Sequence, residues 1–162
     1  MPIVRLRKHD YWSAEITWST PRKWYRIKGY TGVNLPVMLK NKYGIYKFEG
    51  HYENGNKLLY IGIAYCQNFD TRLHQSRNNL KYLKASNITV STGQIDLGSF
   101  KYTRKRFEEI EKILIYFMEP HLNIKKTIWC PHDCFFEIIN SGKRGLLPKR
   151  IVYPVANISY MK

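Results

Sequence analysis

Cysteine is scarce in this chain: there are three, an odd number that cannot all pair with one another. That excludes a scaffold of internal disulfides as the source of stability and predicts reduced thiols. Long hydrophobic runs are missing as well. The longest uncharged apolar stretch, Ile113 to Met118, is far too short to span a bilayer, and Met1-Pro2-Ile3-Val4-Arg5 does not open a secretory signal. No membrane association and a cytoplasmic location are therefore expected. Pro and Gly are scattered rather than gathered into a linker, and neither repeats nor low-complexity tracts occur, so nothing marks an internal boundary and residues 1–162 read as a single domain. Acidic side chains are the last scarcity. Twelve Asp and Glu face 27 Lys and Arg, a formal net charge of +15, more than solubility asks of a small domain. A polyanion is the expected partner.

What is present suffices to build a core, with 44% apolar and 15% aromatic residues in 162 positions. The basic excess sits at the two ends: residues 1–50 hold ten Lys/Arg against three Asp/Glu, and residues 101–162 hold twelve against six. Between them, Tyr43 to Glu49 and Leu58 to Ile63 are β-rich and are separated by Asn54-Gly55, a tight-turn pair, which predicts a hairpin. Asp70 to Lys84 places Leu73, Leu80 and Leu83 on one side of a basic helix. Asn87 to Asp96 alternates as a third strand, and Thr103 to Met118 is helical until Pro120. The order β-β-α-β-α predicts an α+β fold: a small three-stranded antiparallel sheet flanked by helices, with basic N- and C-terminal extensions.

One carboxylate is out of place in that pattern. With Phe107 at zero and a rotation of about 100° per residue, Glu111 falls at about 40°, within the arc of Ile110, Ile113, Leu114 and Met118. Glu108, Glu109 and Lys112 fall on the solvated side. A carboxylate on a buried stripe requires a metal or an arginine unless it reaches water from the stripe's edge.

Gly44-Ile45-Tyr46 and Tyr60-Ile61-Gly62, a hairpin apart, resemble the paired signatures of the GIY-YIG nuclease superfamily. The resemblance continues in the family's order through Thr71-Arg72-Leu73, the glutamate helix Ile110-Glu111-Lys112-Ile113-Leu114-Ile115 and Pro120-His121-Leu122-Asn123. It spans a core at residues 43–123, leaving 1–42 and 124–162 as elaborations that would contact DNA or a second subunit. It implies a metal-dependent endonuclease hydrolysing phosphodiester bonds of double-stranded DNA. Glu111 would hold Mg²⁺ (or Mn²⁺), Arg72 would grip the scissile phosphate, Tyr46 would orient or deprotonate the attacking water, and Tyr60 would bond the phosphate or that water. Asn123 would brace the glutamate helix or the site through side-chain hydrogen bonds rather than touch substrate. The compact length resembles the type II restriction enzymes of the superfamily, and such an enzyme would act as a homodimer on DNA. A structure-selective or mobile-element nuclease, and a nucleic-acid-binding protein that has lost cleavage, fit the same length.

Further candidates are secondary. Lys57, just before the second motif, is either a cation assisting Tyr46 or an exposed hairpin lysine. Some relatives carry a histidine one turn after the arginine; Ser76 stands there in this chain, which makes His74 a substitute, while Arg77 is the fallback for Arg72. Cys130-Pro131-His132-Asp133-Cys134 lacks the second ligand pair of a structural zinc site and reads as a turn with buried thiols, and Cys66 reads as core. The N-terminal aromatics Trp12, Trp18 and Trp24 read as core, and the Lys and Arg around them as phosphate contacts.

Overall fold

The computed structural model describes residues 11–27, 30–32, 43–80, 86–123 and 135–153. In chain order these form β1 (Tyr11–Trp18), β2 (Arg22–Lys23), β3 (Tyr25–Ile27), β4 (Tyr30–Gly32), β5 (Gly44–Tyr52), β6 (Gly55–Ala64), α1 (Phe69–Leu80), β7 (Ser86–Asp96), α2 (Arg104–Met118), β8 (Phe135–Gly142) and β9 (Arg150–Tyr153).

The expected hairpin is β5 and β6, paired antiparallel with Gly55 at φ 107° in the turn, and β7 flanks β5 on the other side. The sheet does not stop there. It has seven strands in the order β6-β5-β7-β1-β8-β9, with β2 continuing the line of β1 along β7. All pairings are antiparallel except β1 with β8, which run parallel from Tyr11 beside Phe135 to Trp18 beside Gly142. A separate two-stranded sheet joins β3 to β4. The expected small three-stranded sheet flanked by helices is therefore overturned: among the described residues strands dominate, the sheet is mixed, and only two helices accompany it. The physical reason is that both extensions carry period-2 apolar rows. Trp12, Ala14, Ile16 and Trp18 alternate inward on β1, and Phe136, Ile138 and the polar Asn140 do so on β8. Asn140 is tolerated in that row because the Trp18 indole N–H donates to its Oδ1 at 2.9 Å and its Nδ2 donates to the Pro148 carbonyl at 2.9 Å.

The β5–β6 part of the sheet is buried on both faces. Ile45, Ile61 and Ile63 join the β1 row and α2 residues Phe107, Ile110, Ile113 and Leu114 in one core cluster. Tyr46, Phe48, Leu59 and Ala64 join Phe69, Leu73 and Leu80 of α1 in the other. Helix α1 is capped by Asn68, whose Oδ1 accepts from the Thr71 amide at 2.8 Å. Helix α2 starts at Thr103, whose hydroxyl accepts from the Arg106 amide, and ends where Glu119 turns left-handed at φ 44°, one residue before Pro120. Among the described residues no helix is long and apolar enough to cross a membrane.

Candidate active site

Strand β6 is an edge of the sheet, yet its outer hydrogen-bonding groups are occupied. The Leu122 amide donates to the Leu59 carbonyl at 2.9 Å. Asn123 then acts as a one-residue strand, its Oδ1 accepting from the Ile61 amide and its Nδ2 donating to the Ile61 carbonyl, both at 2.9 Å. Next along the edge, Arg72 Nε of α1 donates to the Ile63 carbonyl at 3.1 Å, while its Nη1 donates to Gln75 at 2.9 Å. Asn123 thus holds the middle of the Tyr60-Ile61-Gly62 segment. Arg72 is held by two bonds, which turns a long flexible side chain into a fixed positive fork.

Beside Arg72 opens a cavity of about 570 Å³ whose wall includes Glu111, Glu108, Arg104, Lys112 and Cys66. Glu111 is 2% exposed, inside the apolar face of α2 as its position on the helix wheel requires. Glu108 and Lys112, expected on the solvated side, are half-buried and share the cavity wall with it. Glu108 accepts from Arg104 Nε at 2.8 Å. Cys66, expected in the core, is instead exposed at φ 56° in the turn after β6, so it too borders the cavity. These wall residues had faint sequence signals: Arg104 and Glu108 are spaced for an ion pair on one helix, and Lys112 adjoins Glu111.

Tyr46 and Tyr60 meet one another but stand outside that wall. Tyr46 is fully buried on the α1 face, and Tyr60 is half-buried with its ring centroid 6.0 Å away. Tyr46 lies directly across from Gly62. The two motifs are thus in register, Tyr against Gly, and the ring occupies the space that glycine leaves. Lys57 is not brought to the cavity: it is exposed near the hairpin turn, its ammonium 5.2 Å from the Tyr52 ring centre, about 20 Å of extended strand from Ile63. The side chains of His74, Ser76 and Arg77, and the whole of Cys130 to Cys134, lie outside the described residues.

Missed entirely by sequence reasoning was Lys47. It faces the α2 side of β5, is fully buried, and pairs with Glu49, with its ammonium 5.4 Å from the Trp18 ring centre. Burial pushes its ammonium below the ordinary 10.5 against the opposing hydrogen bond and charge of Glu49. A lysine among apolar strand residues reads as solvent-facing unless both faces of the sheet are known to be covered.

Among the described residues no three His, Cys, Asp or Glu side chains cluster as a metal cage. A hard divalent cation such as Mg²⁺ needs less, since one carboxylate and several waters satisfy it. The nearly buried Glu111 carboxylate on a cavity with room for a hydrated ion fits that donor set. No family model, curated protein or solved structure matches the chain.

Proposed function

We propose that the chain is a metal-dependent endodeoxyribonuclease that hydrolyses phosphodiester bonds in double-stranded DNA, as the GIY-YIG enzymes it resembles do. The observation that carries this reading is the meeting of Arg72 and Glu111, from different helices, on one cavity at the edge of the strand that bears Tyr60-Ile61-Gly62. A carboxylate on a phosphate-binding surface is repulsive by itself and becomes useful with a cation. Bound at Glu111, Mg²⁺ would supply Lewis-acid polarisation of a phosphate oxygen. Arg72 would fix the phosphate and offset charge that grows at phosphorus, and its anchoring to Ile63 and Gln75 reduces the reorganisation needed to do so. Lys112 adds positive charge to the same wall, where Arg104 is paired with Glu108. Tyr60 keeps part of its surface open, which suits a hydrogen bond to phosphate or water. Tyr46 is enclosed, and in this conformation it is a positioning residue acting through Tyr60 and Gly62; the base role implied by the resemblance requires its ring to turn outward.

Among the described residues one cavity brings Arg72 and Glu111 together, so a double-strand break would use two copies on the duplex, as in the restriction enzymes of the superfamily. Sedimentation with a duplex in Ca²⁺ should give a two-to-one complex. The deciding experiment is incubation of the purified protein with a long mapped duplex and Mg²⁺. Discrete fragments support a site-specific enzyme and a smear a nuclease without sequence preference, whereas a duplex bound but left intact, both as a blunt molecule and with a single-stranded tail, would sink the nuclease reading in favour of a binding protein.

A further inference from the structure

Only four large hydrophobic side chains among the described residues are markedly exposed, and two of them, Tyr43 at 56% and Tyr102 at 52%, belong to one aromatic series. Tyr43 lies 6.1 Å from Tyr65, Tyr65 lies 5.2 Å from the buried Phe107, and Phe107 lies 6.3 Å from Tyr102, centroid to centroid. Tyr65 is also part of the wall of the Arg72–Glu111 cavity. The series therefore crosses the rim of that cavity with a solvated ring at each end.

The Tyr102 ring is held rather than loose. The Tyr102 hydroxyl donates to the Ile95 carbonyl at 3.4 Å and accepts from the Leu97 amide at 3.3 Å. Its segment is pinned by Arg106, whose guanidinium donates to the Lys101 carbonyl at 2.6 Å and covers the Phe100 ring at 5.0 Å. Tyr102 is flanked in sequence by the exposed Lys101, Arg104 and Lys105, of which Arg104 pairs with Glu108 and Lys105 with Glu109, and its hydroxyl also lies 3.4 Å from Asp96 Oδ1. Solvated aromatic faces interleaved with cations suit a chain whose backbone is anionic and whose bases show their faces, which means unpaired nucleotides; a stacked duplex hides those faces.

We propose that Tyr43 and Tyr102 form a stacking platform for unpaired DNA nucleotides at the rim of the cavity, so that the preferred substrate is a duplex with a single-stranded tail or flap beside the cut. This deepens the nuclease reading and rests on it for the identity of the cavity. The platform itself is testable without cleavage.

The experiment measures fluorescence anisotropy, without divalent metal, for a blunt duplex and for the same duplex with a single-stranded DNA tail carrying 2-aminopurine. Wild-type protein should bind the tailed duplex about tenfold more tightly and quench the 2-aminopurine, the size expected of one good stack. In Tyr43→Ala/Tyr102→Ala the preference and the quenching should both vanish while blunt-duplex affinity stays. Tyr43→Phe, which leaves the hydrogen-bonded Tyr102 in place, should keep both, because ring faces carry the interaction. Both positions are more than half exposed, so the variants should fold, and an unchanged melting temperature verifies it. Equal wild-type affinity for the two duplexes, or equal losses on both in the alanine variant, would overturn the platform. Since no metal is present, that result leaves the cleavage assay untouched, and a protein that stacks tails but never cuts would sink the nuclease reading alone.

Discussion

Tyr46 and Gly62 face one another across the β5–β6 pair, and a Cβ built on Gly62 would stand 2.5 Å from the ring Cζ and hydroxyl of Tyr46. The ring cannot yield cheaply, because it is fully buried between Phe48 and Tyr60, each with its centroid 6.0 Å away. Gly62→Ala should therefore cost about 1–3 kcal/mol of stability and disturb Tyr60. Thermal melting and the Mg²⁺ cleavage assay check both, and a variant that melts and cuts like wild type would contradict the packing argument.

Glu111→Gln retains shape and removes charge. On the proposed mechanism cleavage should fall by at least about a hundredfold, while metal-free DNA affinity stays level or rises. Arg72→Ala should lose both cleavage and affinity, because it also removes a phosphate contact. Rates and affinities for the two variants test this division of labour, and near-normal cutting by Glu111→Gln would remove Glu111 from the site.

Affinity for duplex DNA should fall steeply with salt. With a net charge of +15 and engagement of about five phosphates, the log–log slope should be about −4.5 or steeper. A flat titration between low and physiological salt would show that the positive charge serves something other than phosphate.

Lys47 makes stability depend on pH in a definite direction. Its native pKa lies below the ordinary 10.5, so between those two values the unfolded chain binds the proton that the native state has released. The native state should gain stability as pH rises through that window, relative to Lys47→Met, which has no such proton. Urea unfolding of both proteins from neutral pH to about pH 10 reads the changing gap. Glu49→Gln should instead be destabilised by about 3–5 kcal/mol, since it leaves a buried ammonium without its counter-charge.

The parts legible in the sequence were those whose pattern is local. Asn54-Gly55 announces the turn between β5 and β6, Thr103 and Pro120 bracket α2, and Glu111 lies on the helix face where a 3.6-residue period puts it. Strand β7 followed from its own alternation. Trp12 and Trp18 read as core and are buried, but the pairing of β1 with β8 did not follow, because no local pattern states that Tyr11 will lie beside Phe135. The same missing partners hid Lys47, whose burial follows from the cover on both faces of β5. The cavity was half legible: Arg72 and Glu111 came from motif order, whereas Arg104, Lys112 and Cys66 join them only once the two helices flank β6.

The parallel pairing of β1 with β8 also bears on how the protein is made. A ribosome releases β1 first, yet the strands on either side of it in the sheet, β7 and β8, emerge only after the hairpin, α1 and, for β8, α2 have been synthesised. Until then β1 is an apolar strand with both edges open, the kind of segment that pairs with the wrong neighbour. The nascent chain must keep Trp12, Ile16 and Trp18 out of such pairings until β7 and β8 have emerged, so the β5–β6–β7 unit can assemble early while the middle of the sheet closes late.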